Sequence, residues 1–269
     1  MSFQPFTLGS GLAGWSLLKT TLSVQKAAYK ANYATQSDST YFKEKFSQLN
    51  TPEDIVSDRR ILRVVLGAYG LSDDIDNRHF IKTIMAEGVS DRSALANKLS
   101  DQRYKALAQD YDFSEIGLGP SSSPGLAGRT ISNYLAQSFE VAIGESDTDM
   151  RLALGFTRSL KETIASSNSN STAWFQILAT PPLREVIQTA IGLPSEFSQL
   201  DIDDQHTRIQ EKVSRVFGTK DLSELADPSK IEEMTRRFLV MREASSMNSN
   251  NSLQTALVLL SSASYKAPL

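Results

Sequence analysis

The residues of this chain best suited to hold a cation are its two histidines, each of which closes the same kind of six-residue string. The strings are DIDNRH, Asp74 to His79, and DIDDQH, Asp201 to His206. Asp76 with His79, and Asp203 with His206, stand three residues apart, a spacing that brings both side chains of each pair to one face of a helix. Each pair then offers a carboxylate and an imidazole to a divalent ion. In the competing reading the aspartates cap a helix and face its positive end, with histidine a half-exposed residue of the first turn. Capping accounts for every residue except the histidines, and two ligands fall short of a closed metal site. No metal and no cofactor are therefore expected, and Asp76, His79, Asp203 and His206 are the positions to inspect.

Other chemistry is sparsely furnished. The chain has no cysteine, which removes disulfides, thiolate nucleophiles and thiolate metal sites together. Two histidines that both read as helix-start residues offer no Ser-His-Asp arrangement, and no pair of carboxylates suggests a hydrolase. GSGLAG, Gly9 to Gly14, has the glycines of a phosphate loop but neither a preceding strand nor the P-loop lysine, so it reads as a flexible arm. Glu232 and Glu233 beside Arg236 and Arg237 read as a solvated helix face with i to i+4 pairs. A non-enzyme is expected.

Net charge is −3 with a pI near 5.5, and basic and acidic residues are interleaved along the 269 residues. No basic stripe faces phosphates, so nucleic acid is not an expected partner. The first residues lack the positive start of a secretory signal, and no apolar segment approaches a membrane span, as expected for a chain that begins as a cytoplasmic protein. Export without a cleaved signal would leave the same N-terminus.

The elements that must position these residues are helical, and one of them occurs twice. Pro52 to Leu71 returns without a gap as Trp174 to Leu193, pairing Ile61 with Leu183, Val64 with Val186, Val65 with Ile187, Ala68 with Ala190 and Gly70 with Gly192. The match keeps apolar positions and a glycine, which is a pattern of packing. In the first copy Thr51-Pro52-Glu53-Asp54 reads as a helix start, and Asp58 to Tyr69 as a buried helix stopped by a left-handed Gly70. Around it, Trp15, Leu18, Leu22 and Tyr29 form one face of an opening helix from Leu12 to Ala34. Ser39 or a neighbour is read as the cap of a second helix, and a later helix is expected from about Asp76 to Glu87. Serine-aspartate pairs at Ser90 and Ser100 are read as opening two more.

The composition turns to glycine, proline and serine between Ser114 and Arg129, read as a boundary. Helices are then expected over Thr130 to Ala142, Met150 to Ile164, Ile202 to Phe217 and from Pro228 through Met241. The polar run Asn248 to Ser252 is expected to set off a terminal amphipathic segment, LQTALVLL. No stretch alternates with period two, so the expected class is all-α. The expected units are an internally duplicated pair: residues 1–113 with an N-terminal arm and residues 130–245, joined by a linker at 114–129 and followed by a tail at 246–269. Separate bundles and one pseudo-symmetric domain both fit this plan. Trp15, Tyr29, Tyr33, Tyr41, Phe42 and Phe46 at helical spacing read first as core and otherwise as a partner groove or self-association seam; Trp15, Leu18, Leu22 and Tyr29, with Leu257 and Leu260 of the tail, are the candidate interaction residues.

Val64 to Phe113, with its GL helix end, FIK stretch, EGVSD turn and LANKLSDQRY segment, resembles the signature of the bacterial family called domain of unknown function 1217. LADPSKIEEMTRRFL, Leu225 to Leu239, is similar to a later part of it. The resemblance implies no catalytic residues, and the histidines at 79 and 206 lie outside its pattern. Genes of that family often lie among flagellar genes, which implies a link to flagellar assembly or structure and a cytoplasmic or flagellum-associated location. The function expected is that of a structural or interaction protein whose partners are proteins, flagellar components or a second copy of the chain. The alternatives are a cytosolic helical adaptor or export chaperone and, from another class, an enzyme using a divalent ion at the aspartate-histidine pairs.

Overall fold

Helix caps set most of the boundaries. The computed structural model describes residues 3–114 and 119–263, with side chains through residue 246. Every regular element among these residues is helical. The helices are α1 (Gly11–Lys30), α2 (Tyr33–Lys45), α3 (Pro52–Val56), α4 (Arg59–Ala68), α5 (Arg78–Glu87), α6 (Leu95–Lys98) and α7 (Gln102–Asp110), then α8 (Leu126–Gly144), α9 (Thr148–Ser166), α10 (Asn170–Ala179), α11 (Pro181–Ala190), α12 (Ile202–Phe217), α13 (Leu222–Leu225) and α14 (Pro228–Ala263).

The repeated string ends alike in both places, in α4 and α11, although its first part is the short α3 in one copy and the end of the longer α10 in the other. Before α3, the Thr51 hydroxyl accepts from the Asp54 N–H (3.3 Å) while the Asp54 carboxylate accepts from the Thr51 N–H (2.8 Å), a reciprocal box that satisfies two orphan donors. Asp58 then accepts from the N–H groups of Arg60 and Ile61 to start α4. Gly70 takes φ +69° and Gly192 φ +68°, a region open to glycine without Cβ strain. Each turn lets the next leucine fold back: Leu71 N–H donates to Leu66 O at 2.9 Å, and Leu193 N–H to Gln188 O at 3.0 Å. The last carbonyls of the two helices are also met by side chains from elsewhere. Gln137 Nε2 donates to Ala68 O (2.9 Å), and Arg237 Nε to Ala190 O (3.1 Å).

Several expected boundaries move, each for a local reason. α1 stops at Lys30, and α2 is capped by Asn32, whose side chain accepts from the Ala34 N–H, so Ser39 lies inside the helix. The chain from Ser72 to Asp74 is a 3-10 turn, and α5 begins only at Arg78, leaving Asp76 outside it. Asp101 caps α7, whereas Asp91 accepts from Ser93 N–H to make a turn and α6 starts at Leu95 without a side-chain cap. The expected break at Asn248 to Ser252 is absent: α14 runs 36 residues without interruption, about 54 Å at 1.5 Å per residue.

Two hydrophobic clusters form. One gathers Phe42, Ile55, Leu62, Ile84, Leu107 and Tyr111 with Leu126 and Tyr134 from the start of α8. The other joins Phe139 and Ile143, from the end of α8, to Phe156, Trp174, Ile187 and Phe238, and includes Trp15 and Leu18 of α1. α8 thus enters both clusters. It starts four residues earlier than its apolar period announces, inside the stretch read as linker, because Leu126 and Thr130 are buried against the first cluster and the Thr130 hydroxyl meets that of Tyr111 at 2.8 Å. α1, which the sequence groups with the first unit, packs against α14 and α9. It runs antiparallel to α14, with Lys19 Nζ 2.6 Å from Glu232 and Gly11 against Glu243.

Candidate functional site

The two aspartate-histidine pairs do not share a geometry. Asp76 precedes α5 and is paired with Arg59 at 2.9 Å, while His79 is exposed in the first turn. The helical i, i+3 relation expected of them therefore fails at Asp76. Asp203 and His206 do share α12, but His206 is that helix's fifth residue whereas His79 is the second of α5. The His206 ring stacks on Phe175, with centroids 4.1 Å apart and planes inclined by 4°. Gln210 places its amide nitrogen 2.8 Å from His206 Nε2, and the Ser171 hydroxyl lies 3.4 Å from the same atom. Asp201 is the α12 cap, accepting from Asp203 N–H. Asp74 accepts from the Tyr104 hydroxyl at 2.7 Å; burial and then this acid push the phenol up to about 12.

The interaction stripe read on α1 faces inward. Trp15 and Leu18 are buried in the second cluster, and Leu22 and Tyr29 pack against it, with Tyr29 edge-on to Phe139. The stripe is thus core and not a free interaction face, because α9 and α14 cover it within the same chain. Leu257 and Leu260 lie on α14 beyond the residues whose side chains are described. The stretch expected to be a flexible arm bends at Gly9 and Ser10 and enters α1 at Gly11, packed so closely that a Cβ on Gly14 would lie 2.3 Å from Gly9 O. Ahead of it, residues 3–8 lie back along α1. Gln25, itself buried, accepts from Phe6 N–H at 3.0 Å and donates to Phe6 O at 3.1 Å, and Asn32 donates to Phe3 O.

Sequence reasoning missed what remains outside. Leu17 and Val24, seven residues apart on α1, are 47% and 71% exposed, and Phe6 and Leu8, within the strap formed by residues 3–8, are exposed as well. The signal was present in the same heptad period, one step around the helix. Also missed is a groove of about 850 Å³ between α11 and α14, lined by Arg184, Glu185, Gln188, Gly192, Met241 and Arg242. Its guanidinium at Arg242 is held by Asp149 at 2.7 Å and lies 3.5 Å from Glu185. The expected pairs of Glu232 and Glu233 with Arg236 and Arg237 give way to ties between helices: Glu232 to Lys19 and Arg237 to the end of α11.

Ionisable groups elsewhere join helices. Burial opposes ionisation of Asp58, but hydrogen bonds from Tyr41, Ile61 and Arg60, with the Arg60 charge, outweigh it and hold the carboxyl below its usual range. Arg158 sits between Glu140 (2.7 Å) and Glu162 (3.2 Å), binding α9 to α8. Burial raises Glu162 despite that arginine. Tyr69 donates to Asp110 at 2.6 Å and is pushed far upward by burial, then by Tyr111 and Asp110. Asp58, Arg158 and Tyr69 act as fasteners between helices, while Glu162 pairs with Arg158 within α9.

Among curated proteins none matches the chain. The crystal structure of protein AGR_C_984 from Agrobacterium tumefaciens is similar at 27% identity with a TM-score of 0.71, over 90% of this chain and 97% of that one. The family model described as protein of unknown function (DUF1217) matches residues 68–231, from the end of α4 into α14 and so across both clusters. With more than half of its length under that model, this chain belongs to the DUF1217 family.

Proposed function

We propose that the chain is a non-enzymatic helical structural or interaction protein connected with flagellar assembly or structure, residing in the cytoplasm or with the flagellum. The observation that carries this reading is that Phe6, Leu8, Leu17, Val24 and Tyr33, five large hydrophobic residues of the first 33, are exposed, since a concentration of exposed apolar side chains on a folded protein suits a contact site. The histidine and aspartates considered for chemistry support it by their other engagements: Asp76 with Arg59, His206 with Phe175 and Gln210, Asp201 as a cap. The flagellar part rests on the gene neighbourhood implied by the family resemblance. Deleting the gene and examining swimming and basal bodies tests it; normal motility with normal basal bodies would remove the flagellar part of the reading.

We also infer that the two halves arose by duplication of one helical unit. The support is the matching pair of glycine turns, each with a leucine folded back and a side chain from another helix on the carbonyl at Ala68 or Ala190. Units of 1–113 and 130–245, joined at 114–129, are the division this history suggests. Expressing residues 1–125 and 126–246 separately tests it: two cooperative unfolding transitions favour independent units, and unfolded fragments favour a single interlocked body.

A further inference from the structure

The strap is held to α1 chiefly through its backbone. Gln25 is buried and closes two bonds on Phe6, accepting from its N–H at 3.0 Å and donating to its carbonyl at 3.1 Å, while Asn32 donates to Phe3 O. Pro5 alone of the six strap residues is buried, and Phe6 and Leu8 are 45% and 57% exposed. The seat on α1 thus takes an extended segment with proline at one place and reads little else of its side chains. It also needs an occupant, because a buried carboxamide left unmet is costly. The strap reaches this seat over a two-glycine hinge. Gly9 takes φ +83° and Gly11 φ +58°, with Ser10 between them, a bend that glycine adopts without Cβ strain.

The strap runs antiparallel to α1, with Gly9 beside Gly14, Phe6 beside Gln25 and Phe3 beside Asn32. With the hinge straightened, the same residues lie beyond the start of α1, where the seat of an antiparallel second copy can receive them. Residues 1–18 include no charged side chain, so the two helix starts bring no like charges of their own together. We propose that the seat on α1 is a self-association site, at which two copies exchange straps about the Gly9–Gly11 hinge and each strap bonds to Gln25 and Asn32 of the other. Exchange keeps every bond of the seat, and its reciprocity closes the assembly at a dimer. The closed form is favoured only by tethering, which presents a strap to its own seat at an effective concentration on the order of mM. The inference deepens the reading of the chain as an interaction protein and rests on no flagellar connection.

The hinge provides the test. An added Cβ at Gly9 has room, its nearest neighbour being Gly14 N at 3.9 Å, so Gly9→Val burdens only the left-handed backbone of the closed form. That burden is about 5- to 30-fold per strap. Relieving two hinges favours the exchanged dimer by roughly 30- to 900-fold, which brings its dissociation constant from the mM range to about 1–30 µM. Sedimentation of the full chain from about 1 to about 200 µM, a range set to span that constant, should find the parent monomeric. Gly9→Val should pass to a dimer that grows no further, with the Phe6 amide still protected from exchange. Gly9→Ala carries the same backbone penalty with less bulk, and should give the same dimer where the valine chain melts early. Adding Pro5→Asp puts a charge at the buried strap position, and should return the chain to a monomer whose Phe6 amide exchanges freely. Hinge variants that stay monomeric would overturn the proposal. So would association that survives Pro5→Asp, since released apolar side chains and not the seat would then be its source. Loss of motility in the gene deletion alongside monomeric hinge variants would leave the flagellar reading standing and remove this one.

Discussion

Gly70 and Gly192 occupy the same left-handed backbone region, yet a side chain would meet different surroundings at each. An added Cβ at Gly70 would come 2.7 Å from Gln137 Oε1, the group whose partner nitrogen holds the Ala68 carbonyl. At Gly192 it would meet Met241 Cε at 3.2 Å, the movable end of a flexible side chain. Both Gly→Ala changes carry the left-handed penalty of about 1–2 kcal/mol. Gly70→Ala is expected to cost roughly 1 kcal/mol more through the displaced hydrogen bond, measurable as a larger drop in urea midpoint. Asp58 makes a pH-dependent contribution. Its carboxyl is held low in the fold, so the unfolded chain protonates more readily, and its stabilisation is complete above the unfolded value near 3.9. That stabilisation fades as pH falls through the lower folded value. Asp58→Asn keeps a capping side chain but cannot titrate, so its melting temperature should fall less steeply than the parent's below about pH 4.

At the scale of elements, α1 shows what a periodic pattern does and does not determine. The spacing of Trp15, Leu18, Leu22 and Tyr29 identifies the face that is buried, but periodicity carries no information on whether the cover comes from the same chain. Leu18→Ala should cost about 2–5 kcal/mol by opening a cavity in the second cluster, whereas Leu17→Ala, one residue away and exposed, should stay within about 0.5 kcal/mol. Equal effects in thermal or chemical unfolding would contradict the assigned orientation. The caps were legible at Thr51, Asp58, Asp101 and Gly70 because each rests on hydrogen bonds within a few residues. The start of α5 was not, since Asp76 resembles a cap but its carboxylate turns to Arg59, seventeen positions away. The start of α8 was hidden for a related reason: its first turn is held by Tyr111 across a stretch whose composition reads as loop. His206 as a stacking partner of Phe175 likewise depends on a contact between helices that spacing along one helix cannot express.

At the scale of the molecule, the two clusters are tied by α8 running through both and by α1 reaching past the first to the second. Removing residues 1–32 should therefore weaken the more distant half. Amide exchange is expected to accelerate in α9–α14 while α4–α7 keep their protection, and uniform acceleration would argue against this arrangement.

The reach of α1 also sets an order of events as the protein is made. α1 leaves the ribosome well before α14, yet the helices that cover Trp15 and Leu18 include α14, whose contact residues Glu232 and Glu243 come about 200 positions later. At about 5–20 residues per second that interval is roughly 10–40 s. Throughout it the α4–α7 cluster can assemble while the buried face of α1 stays uncovered, a target for chaperones or for neighbouring nascent chains. α14 thus completes the burial of α1, so the second cluster closes only once α14 has been made.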